Sequence, residues 1–240
     1  MSSFEEQARH TALQGPGIKT NKDFPFSVGT VSKEHLEGLL EEARILRHFG
    51  RPEDEKIKKS KQDPNRAWYW KWNSTKWIPE LMDYCLQYCG DVGKPITRVK
   101  FDQQWLTVQS KHEYQPMHHH AQDPNVHLHV IIFLKSPAEL RDQSKGLGAD
   151  QKIKWVDGKP YYLEEAKEGG LDLCLPEATE VLRPNPGRIV ILPSNLLHTS
   201  YPFKFEGERW ALGATVQCLD WPDVKPGWAI ESKKNWGKNA

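Results

Sequence analysis

A mainly β protein with helices gathered near its N-terminus is the fold class this sequence predicts, and three observations predict it. From about Pro95 onward the chain breaks into short apolar runs separated by turn residues: TRVKFDQQWLTVQ, VHLHVIIFLK, KIKWV, RIVILP and RWALGATVQCL. No helical spacer stands between these runs, which favours an antiparallel sandwich or barrel over a parallel sheet. Helical periodicity is confined to two stretches that precede residue 94.

Taken in order, residues 1–30 are rich in Gly, Pro, Ser and Lys without a sustained period and read as an irregular arm. Ser32 to Phe49 is the strongest helix: Ser32 can cap it, Glu34 and Glu37 suit its first turns, and Leu36, Leu39, Leu40 and Ile45 recur at helical spacing. Residues 51–65 mix both charge signs and end in Asp-Pro-Asn, the composition of a solvated loop. Trp68, Trp70 and Trp72 alternate with other residues, as in a short strand. A second helix is expected from Pro79 to Cys89, with proline at a favoured first position and Gly90 as its stop. The charged, Gly-rich section from Asp142 to Gly170 is a long excursion between strands, a place for a lid or substrate loop. The tail after Asp220 is expected to wrap the surface or fray. This divides the chain into an N-terminal arm with supporting helices (1–94), a β core (95–220) and a C-terminal tail (221–240).

The 240 residues suffice for one large domain that needs neither disulfides nor metals as staples. Lysine and arginine together number 33 against 32 acidic residues, so no global field favours nucleic acid or an acidic membrane. No apolar run is long enough to span a bilayer and Met1 to Arg9 is polar, so neither a membrane segment nor a secretory signal is expected. Cys85 and Cys89 are neighbours on one helical face rather than a zinc knuckle. With Cys174 and Cys218 they read as reduced thiols of a cytoplasmic protein.

Five of the ten histidines fall between residues 118 and 129. In an extended segment residues two apart share a face, so His118 and His120 can converge on one ion while His119 points away. A third ligand must come from elsewhere, and His198 in GRIVILPSNLLH follows a strand ended by Pro193 and a bend at Asn195. Imidazole suits iron, zinc, copper or nickel, so ligand type alone does not select the metal; a facial triad with open positions is the arrangement of non-haem Fe(II) oxygenases. Arg209, eleven residues after His198, offers a guanidinium fork for a carboxylate. If Phe133 faces the interior of the barrel, then Ile131 and His129 do so too.

These positions carry a resemblance. Trp105 to Pro137 and Gly187 to Thr215 look like the core of the Fe(II)/2-oxoglutarate-dependent dioxygenases, closest to the prolyl-4-hydroxylase-like branch and its short bacterial and phage relatives. That family's pattern is a histidine, any residue, then an acid; an apolar strand; a distal histidine; and a basic residue about ten positions later. Here the places are taken by His118, His120, the strand Leu128 to Lys135, His198 and Arg209. The resemblance implies a double-stranded β-helix (jelly-roll or cupin-like) core, Fe(II) and 2-oxoglutarate as cofactors, and hydroxylation of a C–H bond, with peptidyl proline or another peptide side chain favoured over a small molecule. It also implies co-substrate contacts from Arg209, Gln109, His129 and Phe133. Two positions depart from the pattern. The acid is replaced by His120, leaving Asp123 as the rival middle ligand. The hydroxyl two residues after the arginine is replaced by Ala211, so Thr215 is the candidate substitute.

Each piece has a plainer reading: solvated histidines, a core histidine at 198, a surface ion pair for Arg209 with Glu206 or Glu208. Their joint order and spacing favour an intact metal site. For RAWYWKWNSTKW the plainer reading prevails, a packed strand rather than a base-stacking platform. Two other functions remain open. Gly187 to His198 also fits the second motif of a cupin-type three-histidine metalloenzyme that does not use 2-oxoglutarate, from which Arg209 discriminates. The same barrel can also serve as a non-catalytic binding module.

Overall fold

A computed structural model describes residues 17–20, 26–50, 66–141, 154–156, 159–161, 168–175 and 179–221. The solvated loop expected at 51–65, most of the excursion at 142–170 and the tail after Trp221 lie outside the described residues.

The described strands are β1 (Gly17–Thr20), β2 (Ser27–Thr30), β3 (Trp68–Lys71), β4 (Val99–Ser110), β5 (Gln115–His118), β6 (Leu128–Lys135), β7 (Lys154–Val156), β8 (Lys159–Tyr161), β9 (Leu171–Cys174), β10 (Thr179–Leu182), β11 (Arg188–Pro193), β12 (His198–Ser200) and β13 (Glu208–Cys218). Seven form the major sheet in the order β1-β2-β11-β6-β13-β4-β3; four form the minor sheet, β10-β9-β12-β5; β7 and β8 pair with each other. Every pairing between these strands is antiparallel. Two facing antiparallel sheets with long crossovers make the double-stranded β-helix that the resemblance implied.

Period-two alternation divides the core. On β6, Leu128, Val130, Ile132 and Leu134 pack with the helices on one face of the major sheet. Ile131 and Phe133 point the other way, into the space between the sheets, with Phe26, Val28, Leu171, Leu173, Val190 and Leu192. A strand buried on both faces reads as a continuous apolar run, which is the character of HVIIFL.

Helix α1 (Lys33–Phe49) starts where Ser32 predicts: its side-chain oxygen accepts from the His35 backbone N–H at 3.1 Å. Its packing face is formed by Leu39 and Ala43 with Leu36, Leu40 and Leu46. Ile45 departs from the expectation and is 52% exposed, because the stripe continues through Ala43 and Leu46 instead. Helix α2 (Ile78–Asp91) runs past Gly90, which does not stop it. The terminator is Gly93, at φ 75°. There Lys94 N–H donates to the Cys89 carbonyl (2.8 Å) and Gly93 N–H to that of Gly90 (3.0 Å), a complete Schellman closure. Cys85 and Cys89 face the core, and with Cys218 they are free thiols. The expectation of an irregular arm over 1–30 is corrected for β1 and β2: β2 hydrogen-bonds onto β11, β1 pairs with β2, and the two extend the major sheet. Tertiary pairing, not local pattern, makes these strands. No helix among the described residues is long and apolar enough to cross a membrane.

Candidate metal centre

Three histidines from two strands and a turn meet between the sheets. His118 ends β5 and lies in register with His198, the first residue of β12. His120 sits in the turn after β5, held by its own backbone N–H, which donates to the Ser194 carbonyl at 2.7 Å. That carbonyl follows Pro193, the end of β11, while Ser194 Oγ donates to the Val126 carbonyl at 2.7 Å, so the two loops are fastened together. One ligand-capable nitrogen from each of the three histidines lies within 4.8 Å of the other two. His119 points away, and its Nδ1 accepts from the Ala121 backbone N–H.

The tautomers follow from the hydrogen bonds. A carbonyl only accepts, so His118 Nδ1 must donate to Pro116 O (2.7 Å) and His198 Nδ1 to Leu196 O (2.9 Å). In the neutral rings this leaves the Nε2 lone pairs for the cluster, the usual way a carbonyl behind a metal-binding histidine fixes its orientation. Nε2 of His120 and Nε2 of His198 are buried without a hydrogen-bond partner. Burial favours the neutral forms. It lowers the His118 pKa, carries His120 down to about 2 with help from His198 and His118, and carries His198 to about 3. Neutral imidazoles with inward lone pairs and no protein partner are what a borderline divalent metal requires. The donor set therefore fits iron.

Asp123 is not part of this cluster. Its exposed carboxylate accepts from both the backbone and side-chain amides of Asn125, closing the loop before β6.

A cavity opens beside the histidines. Its wall includes His118, His198, His129, Phe133, Arg209 and Thr107, and no acidic residue among those described lines it. His129 is 3% exposed; both ring nitrogens lack partners, and its ring centroid lies 3.9 Å from that of His120 and 5.0 Å from that of His198. Burial, with the neighbouring histidines, holds its pKa well below the usual value. Arg209 is 1% exposed, donates to the Gly169 carbonyl at 2.8 Å and lies 5.7 Å from the Phe133 ring, but its Nε has no partner. Burial lowers its pKa to about 10, which leaves it cationic at neutral pH.

Two expected residues lie elsewhere. Gln109 stands opposite Arg209 on β4, but its amide donates to the Glu113 and Tyr201 carbonyls and it does not line the cavity. Thr215 accepts from the Gln103 backbone at the bulge in β13, also outside the cavity wall.

The sequence reading missed a polar rim made by Tyr69, Thr107, Gln115 and Ser200. Gln115 donates to the Tyr69 hydroxyl (2.7 Å) and accepts from Ser200 Oγ (2.9 Å). It also missed Trp105, whose indole stacks on His129 with centroids 5.4 Å apart. A signal for Trp105 was present: Gly213 sits within a strand, and a Cβ there would meet the Trp105 ring at 2.4 Å.

Comparisons with known proteins agree with this architecture. A search of the curated proteins finds no match by sequence. The solved structure of a Pseudomonas putida prolyl-4-hydroxylase superposes with a TM-score of 0.54 at 11% identity, covering 81% of this chain and 93% of that one. A Trichoplax adhaerens prolyl hydroxylase, in complex with a hypoxia inducible factor peptide fragment, gives 0.52 at 12% identity over 89% and 90% of the two chains. The non-heme alpha ketoglutarate dependent epimerase SnoN from nogalamycin biosynthesis gives 0.55 at 10% identity over 92% and 88%. At such identities the likeness establishes the fold alone. The sequence itself is similar, over residues 103–214, to the family described as "Putative 2OG-Fe(II) oxygenase".

Proposed function

We propose that the protein is an Fe(II)- and 2-oxoglutarate-dependent hydroxylase in which His118, His120 and His198 hold the metal and Arg209 holds the far carboxylate of the co-substrate. The observation that carries this reading is one cavity with a convergent set of neutral imidazoles on its wall and a buried, under-bonded guanidinium further along it. A dicarboxylate that chelates at one end and pairs at the other satisfies both.

The family chemistry supplied when both groups are bound is oxidation of a substrate C–H bond by O2, coupled to decarboxylation of 2-oxoglutarate to succinate. This chain's residues orient the participants. The carbonyls of Pro116 and Leu196 lock the rings of His118 and His198. His129, with no protein partner for either nitrogen, would offer a ring N–H to a keto acid bound in the cavity it lines. Phe133, 5.7 Å from the Arg209 guanidinium on the same wall, would pack against the methylenes of a bound co-substrate and keep water from Arg209, which would strengthen an ion pair there. Thr107, buried on the same wall, adds a hydroxyl beside the guanidinium. The substrate is a peptide side chain or a small molecule.

The test is an anaerobic titration of the Fe(II) protein with 2-oxoglutarate, followed by exposure to O2 and assay of succinate. A visible metal-to-ligand absorption band and succinate formation are expected. Arg209→Ala should retain metal and raise the concentration of 2-oxoglutarate required. Metal binding with no band and no succinate would point instead to a three-histidine enzyme of another kind.

A further inference from the structure

A fourth histidine borders the trio and is unsatisfied in a way that His118 and His198 are not. A neutral imidazole carries one N–H and one lone pair. In His118 and His198 the N–H goes to the carbonyls of Pro116 and Leu196, which fixes each ring and leaves its lone pair for the cluster. His129 has no such carbonyl. It is 3% exposed, lines the cavity, and both of its nitrogens are buried without a hydrogen-bond partner. Its ring centroid lies 3.9 Å from that of His120, 5.0 Å from that of His198 and 5.4 Å from the Trp105 indole, so rings rather than fixed acceptors enclose it.

A bound 2-oxoglutarate resolves half of this. The dianion carries acceptors only, so it can take the His129 N–H but leaves the lone pair without a partner. A metal ion answers a lone pair. Where the family pattern has a carboxylate this chain has the neutral His120, and no acidic side chain among the described residues lines the cavity, so a further imidazole would add the donation that the carboxylate does not supply. His129 lies outside the 4.8 Å span shared by the other three, and no carbonyl fixes its ring. It is therefore the one free to turn toward the ion and away from it. It cannot stay bound throughout turnover, because four imidazoles and a two-atom chelate on an octahedral ion leave no position for O2.

We propose that His129 is a displaceable fourth ligand: its lone pair closes one position of the resting metal centre, and 2-oxoglutarate takes that position when it binds. The proposal rests on the reading of the site as a 2-oxoglutarate-dependent centre and adds a means of its regulation. Until the co-substrate arrives, the ion has one position fewer open to O2. After displacement, the released ring has its N–H available for the keto acid.

The test follows the ring nitrogens of isotope-labelled histidine by NMR in the diamagnetic Zn(II) form of the full chain. Without 2-oxoglutarate, His129, assigned through His129→Gln, should show a zinc-bound nitrogen. With saturating 2-oxoglutarate that signal alone should return to the free-ring position, while His118, His120 and His198 stay bound. His129→Gln keeps an amide N–H for the co-substrate. It should lower Zn(II) affinity at least about tenfold in the absence of 2-oxoglutarate, and the gap should narrow when 2-oxoglutarate saturates, because the two compete for one position. If that variant does not fold, the wild type alone still decides, with one more zinc-bound ring before 2-oxoglutarate than after it. Free His129 nitrogens in the Zn(II) protein, a zinc-bound nitrogen that persists with 2-oxoglutarate, or an affinity gap equal in both conditions would overturn the assignment. Failure of the Zn(II) protein to bind 2-oxoglutarate would instead defeat the underlying reading, and this proposal with it.

Discussion

Thr107 stands directly opposite Ala211 on neighbouring antiparallel strands, and Tyr69 stands opposite Thr107 one strand further out. The three therefore point into the interior in a row beside Arg209. The family pattern's hydroxyl two residues after the arginine is absent here, and on the proposed reading of the site Thr107, on the adjacent strand, would offer one in its place. Thr107→Val keeps the shape and removes the hydroxyl. It should raise the dissociation constant for 2-oxoglutarate about tenfold, the effect of one hydrogen bond to a charged group. Metal affinity should stay put. Equilibrium dialysis with labelled 2-oxoglutarate measures both, and unchanged affinity would remove Thr107 from the clamp.

His120 and Asp123 compete for one role in the sequence, and the geometry separates them. His120 offers a ring nitrogen to the cluster, and its Nε2 is buried without a partner, whereas the Asp123 carboxylate closes a turn with Asn125. His120→Ala should lower Zn(II) or Co(II) affinity by more than about a hundredfold, beyond the usual effect of an outer-shell change. Asp123→Asn should leave it unchanged, since an amide oxygen can still accept from Asn125. Competition with a chromophoric chelator would show this directly; the reverse order of effects would reassign the middle ligand.

Gly213 and Trp105 are a matched pair across β13 and β4. A methyl group at 213 would lie 2.4 Å from the indole, whose outward movement would uncouple it from His129 and His120. Gly213→Ala should therefore destabilise the fold by about 1–3 kcal/mol, the range for overpacking, and weaken metal binding at the same time. Adding Trp105→Ala should recover part of the lost stability in a double-mutant cycle. Additive losses would mean that the two residues do not share that space.

Much of this site was legible because strands have a period of two. His118 and His120 share a face, and so do His129, Ile131 and Phe133, by counting alone. The same rule, applied to WYWK, would have turned Tyr69 inward opposite the core-packing Trp70; the tryptophans dominate that stretch by bulk and conceal it. Thr107 was not legible, because its relation to Ala211 depends on a register set across more than a hundred residues. The end of α2 was misplaced for a local reason. Gly90 and Gly93 are three apart, and only the backbone shows which one takes positive φ. Strand β2 joins the major sheet through its pairing to β11, which a window of neighbouring residues cannot contain, and β1 follows by pairing with β2.

Asp220 provides a pH test away from the centre. Its carboxylate accepts from the backbone and hydroxyl of Thr97 and from the Arg98 guanidinium, joining the end of β13 to the residues before β4. Those hydrogen bonds, Thr97 first, hold its pKa at about 2 instead of the usual 3.8. A depressed folded-state pKa stabilises the protein above the unfolded value, and that stability is lost as the pH falls through the folded one. Wild type should therefore exceed Asp220→Asn in urea midpoint at about pH 6, and the gap should close between pH 3.8 and about 2. Added salt should narrow it as well, because the pair is exposed and screened. A gap independent of pH over that interval would mean that Asp220 acts through shape and neutral hydrogen bonding, with its charge contributing nothing.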